Sequence, residues 1–148
     1  MNQQQIIDWL LEGDVAIQYQ VYKDLLGIER KDLQKRIAHE GWGQQFLSKR
    51  HANLHWGLGF YQPKWTCSHY TLLDLRHLNL SPDNEEVKKT ITLILETSIA
   101  EDGGIQLGPS TAIYSDVCVN GMFLNYASYF RTEEQKLHSI VDCILNEI

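Results

Sequence analysis

Asp116-Val117-Cys118 and Cys67-Ser68-His69 are the stretches of this chain best suited to chemistry. Each sets two metal-binding side chains two positions apart at the expected start of an apolar helix. A carboxylate and a thiolate so placed can converge on one Zn²⁺. The positive end of the helix dipole favours both anions. If the two helix starts open into one hollow, Cys67, His69, Asp116 and Cys118 make a four-ligand set of acceptable donor types. The plainer alternative has Asp116 capping its helix, Cys118 buried as a small apolar residue, His69 bonded locally and Cys67 packed.

Rings crowd the same regions. Trp42, Trp56, Phe60, Tyr61, Trp65, Tyr70 and Tyr114 lie in the loops and helix starts around these pairs. Trp56, Tyr61, Trp65, Tyr70 and Tyr114 are the candidates for lining an apolar ligand pocket. Indoles at Gly-Trp turns also serve as wedges between neighbouring helices, the preferred reading for Trp42 and Trp56. Asp74 and His77 have hydrogen-bonding helical spacing, but no Ser or Cys nucleophile is placed locally to make a triad.

Helices must position these residues, because nearly every long segment has helical periodicity. Ile6, Ile7, Leu10 and Leu11 mark a first helix closed by Gly13, and Asp14 caps a second that ends at Gly27. Leu33 and Ile37, then Trp42, Phe46 and Leu47, mark two more, bent or split near Gly41 and Gly43. Apolar helices are expected at about 68–78 and 116–130, each preceded by a Gly-rich loop. A shift of about 47 residues lays Ser68 on Ser115, the spacing of repeated helical hairpins. Ser81-Pro82-Asp83 signals a helix start, with Val87, Ile91, Leu95 and Ile99 as the buried ladder. ITLILETSI is rich in β-branched residues, but it continues that ladder and reads as helix. Thr132 and Gln135 suggest a capping box for a last helix carrying Leu137, Ile140, Val141, Ile144 and Ile148. The loop His51–Thr66 is the longest irregular stretch. The fold expected is all-α, residues 1–148 forming a single helical-repeat domain.

Bulk properties narrow the function. With 148 residues, the chain can bury roughly 70% of its unfolded surface in one core. A net charge of −6 repels phosphate backbones, so nucleic acid is not an expected partner. The basic stretch Arg30–Arg36 is interleaved with acids and reads as a solvated helix face. Three scattered cysteines point to reduced thiols and a cytoplasmic setting. The N-terminus lacks the pattern of a signal peptide, and no stretch reaches the roughly 20 apolar residues of a membrane span.

The segment Gly41–Leu75, GWGQQFLSKRHANLHWGLGFYQPKWTCSHYTLLDL, resembles the repeat of the prenyltransferase and squalene-cyclase superfamily, in which a helix leads through a Gly/Trp turn to an inner helix. EDGGI, residues 101–105, resembles its DGGW-type turn, with Ile105 in the Trp position. The run from WLLEGD to SDVCVNG is similar to the N-terminal half of bacterial proteins bearing this repeat. The resemblance implies a partial α/α-toroid of stacked helical hairpins, about half a ring, which a second copy or a partner protein would complete. It also implies an apolar small molecule such as an isoprenoid in a concave cavity. Protein prenyltransferase β subunits have a similar Asp-x-Cys that supplies two zinc ligands, with a His on a later inner helix as a third. Here that pattern falls on Asp116 and Cys118, and His138 is the only histidine downstream. The DxDD acid motif of the cyclases and a DDxxD-type diphosphate motif are both missing from the sequence. A terpenoid cyclase/prenyltransferase-like ligand binder is therefore one expectation; a non-catalytic helical-repeat module for protein interaction is the alternative.

Overall fold

Side-chain caps set the start of four of the helices, those beginning at Gln3, Val15, Glu85 and Val117. The structure, a computed structural model, describes residues 2–106 and 115–147. The fold is all-α, with helices α1 (Gln3–Leu11), α2 (Val15–Gln20), α3 (Lys31–Arg36), α4 (Gly41–Leu47), α5 (Ser68–His77), α6 (Glu85–Thr97), α7 (Val117–Tyr129) and α8 (His138–Asn146). A π-helical turn, Val21–Leu25, extends α2, and a 3-10 turn, Glu134–Lys136, precedes α8. Among the described residues β structure is limited to one bridge, between Ile99 and Ile105. None of the helices there is long and apolar enough to cross a membrane.

The chain divides into two units, Met1–Lys49 with Asp74–Ser81, and Arg50–Leu73 with Pro82–Ile148. In the first, Asn2 and Gln5 form a reciprocal capping box at α1. Asp14 serves two helices: it accepts from the Ala16 amide at the start of α2 and from the Trp42 amide in α4, both at 2.9 Å. Gly41 makes the second bond feasible. It adopts a left-handed φ of +62°, and a Cβ there would strike the Asp14 carboxylate. Val15, Ala16, Tyr19, Val21, Leu33 and Ile37 form this unit's core with Leu75 and Leu80. The Arg30–Asp32 and Arg36–Glu40 pairs confirm a solvated basic face on and around α3.

In the second unit α6 starts later than its Pro signal implied. Asn84 is the cap, accepting from the Val87 amide at 3.0 Å. Its buried face runs Val87, Thr90, Ile91 and Ile94, whereas Ile99 lies beyond the helix and is exposed. A strict four-residue ladder drifts around a helix of 3.6 residues per turn, so Leu95 is only half-buried. α7 buries Val119, Asn120, Phe123, Tyr126 and Ala127 and packs on α8, whose inner face is Ile140 and Cys143. α8 has no side-chain cap, so Thr132 and Gln135 do not form the expected box.

Candidate ligand-binding site

The long loop before α5 is folded onto the start of that helix by backbone bonds. The Ser68 and His69 amides, which a helix start leaves without internal partners, donate to the carbonyls of Gly59 (3.2 Å) and Phe60 (2.9 Å). Ser68 Oγ accepts from the Trp56 amide at 3.0 Å and pairs with His55 Nδ1 at 2.9 Å. From α6, the Thr90 hydroxyl donates to the Leu54 carbonyl at 2.7 Å. Gly57 sits at φ +63°, where a Cβ would lie 2.9 Å from the Gln62 carbonyl oxygen and 3.0 Å from that of Thr66. Only glycine fits. Leu54 and Trp65 also adopt left-handed φ, 68° and 77°, which costs a large L-residue energy.

This loop brings rings into a continuous cluster. His69 is fully buried, its imidazole 5.5 Å from Phe60, 5.4 Å from Tyr61, 5.1 Å from Tyr70 and 5.7 Å from Tyr126 between ring centres. Trp65 packs at 4.7 Å on Tyr70, and the Tyr61 and Tyr70 hydroxyls meet at 3.0 Å. The cluster grades from the core at Phe123 and Tyr126 to an indole at Trp65 that is 68% exposed. His69 Nδ1 lies 3.3 Å from the Tyr126 hydroxyl, while Nε2 is buried with no hydrogen-bond partner.

Burial and hydrogen bonding keep the cluster uncharged. Burial pulls the His69 imidazole down to about 4 and pushes the Cys67 thiol and the Tyr126 phenol up. The bond to Tyr70, then burial, raises Tyr61 to about 12. A neutral imidazole, neutral phenols and a protonated thiol suit the reception of an apolar surface. They do not supply an anionic nucleophile.

The second loop-helix unit is built around Asn120 and Asp102. Asn120 accepts from the Ile105 amide at 2.7 Å and donates to Ser115 Oγ at 2.8 Å. Asp102 accepts from the Gly104 and Ser115 amides at 3.0 and 2.6 Å. Burial would raise its carboxyl, but these donated bonds outweigh it and lower it. Gly104 has no room for a Cβ, which would strike Ser115 Oγ. The EDGGI segment is thus a clamped turn with Ile105 fully buried.

One of the four side chains expected around a metal caps a helix. Asp116 Oδ1 accepts from the Cys118 amide at 2.9 Å and the Val119 amide at 3.2 Å, a helix cap. Cys118 is exposed, Cys67 and His69 are fully buried, and His69 is hemmed by rings. Among the described residues no three His, Cys, Asp or Glu side chains gather as a metal site.

Of the expected ligand-lining rings, Tyr61, Trp65 and Tyr70 come together. Trp56 is buried beneath the loop, in keeping with a wedge, and Tyr114 lies outside the described residues. Trp42 is no wedge: it is 57% exposed, leaning on Phe46 at 6.4 Å. Sequence reasoning missed His69 as the hub of the ring cluster. The signal was its place beside Tyr70 at a helix start that follows a loop carrying Phe60 and Tyr61. Compared with protein-family models, curated proteins and solved structures, the chain matches none.

Proposed function

We propose that this chain is a helical-repeat protein of the α/α-toroid type whose second unit binds an apolar small molecule against Tyr61, Trp65 and Tyr70. Trp65 carries the reading: its indole is largely exposed although its backbone is held in a left-handed conformation. Strain of that kind collects at ligand clamps, where its cost is offset elsewhere. The rings beneath it are uncharged, and the Lys64 ammonium, 5.0 Å from the centre of the Trp65 ring, must swing aside for a ligand to seat. No catalytic step is assigned. Binding of farnesol, followed by tryptophan fluorescence, tests the reading. Trp65→Phe should keep most of the affinity, and Trp65→Ala should weaken it about tenfold, the worth of one ring contact. Equal affinity in wild type and Trp65→Ala, or no uptake of farnesol or 1-anilinonaphthalene-8-sulfonate, would remove the basis for it.

A further inference from the structure

The first unit presents an apolar face that its own core does not use. α1 has no fully buried side chain, although it carries Ile6, Ile7, Trp9, Leu10 and Leu11. Trp9 is 62% and Ile6 43% exposed, and Ile17 on α2 is exposed beside them. A groove of about 460 Å³ runs between these helices, lined by Trp9, Leu10, Glu12, Gly13 and Ile17. Gly13 opens it, because a side chain there would begin 3.7 Å from Ile17 Cβ. Contiguous apolar surface of this kind marks an interaction site more often than free surface.

Charge identifies the occupant. From Met1 to Tyr22 the sequence has no Lys, Arg or His, but it has Asp8, Glu12 and Asp14. Asp14 is spent on the Ala16 and Trp42 amides. Asp8 on α1 and Glu12, which caps that helix's C-terminal end, are exposed about one turn apart, and neither has an ion pair among the described residues. A second copy docking through this face would bring carboxylates to carboxylates, which opposes self-association. A helix with one apolar face and flanking lysines or arginines meets both features at once.

We propose that the α1–α2 face docks a cationic amphipathic helix of a partner protein. Its apolar side chains enter the groove between Trp9 and Ile17, and its cations lie over Asp8 and Glu12. A fluorescein-labelled Leu/Lys helical peptide about five turns long, titrated by anisotropy against the full chain, tests this. Trp9→Ser and the double reversal Asp8→Lys/Glu12→Lys should each weaken binding about tenfold or more. The control reversal Glu101→Lys/Glu147→Lys changes net charge equally at exposed positions in the other unit and should have little effect. A Leu/Glu peptide should not bind. Equal loss in the control, tight binding of the Leu/Glu peptide, or a dimer in sedimentation that Trp9→Ser dissociates would each overturn the proposal.

Discussion

Lowering the pH should loosen the second unit through His69. The imidazole is neutral in the folded chain because it is fully buried among Phe60, Tyr61, Tyr70 and Tyr126, and burial pulls it from 6.5 to about 4. As pH falls below 6.5 the unfolded chain takes up a proton that the folded chain refuses until about 4. The contribution is therefore whole above 6.5, declines through the interval, and is gone below about 4. The separation is worth about 3 kcal/mol. Tyr61 and Tyr126, which pack on the ring, and Cys67, two residues before it, are all raised and stay uncharged across this interval. His55 is also lowered by burial and acts in the same direction, so wild type alone is ambiguous. Urea unfolding of wild type and His69→Leu, stepped from about pH 7 to about pH 4, isolates the effect. Leu is near in volume and keeps His55. Wild type should lose about 3 kcal/mol more than the variant over the interval. Parallel stability curves for the two proteins would refute the reasoning.

Three further outcomes are expected. Ellman's reagent should modify one thiol rapidly in the folded protein, and Cys118→Ser should abolish that phase, because Cys67 and Cys143 are buried; two rapid thiols would contradict this burial. Asp116→Ala should cost about 1 kcal/mol by uncapping α7, with Asp116→Asn close to wild type in thermal melts. An equally large loss in Asp116→Asn would show that the carboxylate's charge matters beyond the cap. Gly57→Ala should cost about 2 kcal/mol or more, from left-handed strain and contact with the Gln62 carbonyl, and calorimetry showing an unchanged Tm would count against the loop geometry.

Helix identity was legible because amphipathic spacing and caps act locally: Asp14, Gly27 and Gly41 all serve as their residue types suggest. Boundaries failed where two local signals competed. Pro82 advertised a helix start, but Asn84 supplies the amide acceptor. Thr132 and Gln135 had capping-box spacing, yet the chain takes a 3-10 turn at Glu134–Lys136 first. The π-helical turn after Gln20 left no mark in the hydrophobic pattern. For the site, residue type located the Tyr61, Trp65 and Tyr70 rings, because a loop rich in Gly and rings must fold onto its helix to bury any of them. Convergence of Cys67, His69, Asp116 and Cys118 depended on long-range placement, which spacing along a chain does not encode. The capping role of Asp116 shows only in its contacts with the Cys118 and Val119 amides.

The loop carbonyls of Gly59 and Phe60, spent on the first amides of α5, tie two motions into one. Peeling the loop away would strip Ser68 and His69 of their acceptors, so the helix could not keep its first turn while the loop opens. Solvent exchange of those two amides would then follow a single shared opening rate. A molecule resting on Trp65 would slow that opening without touching the helix backbone, making α5 a built-in reporter of occupancy.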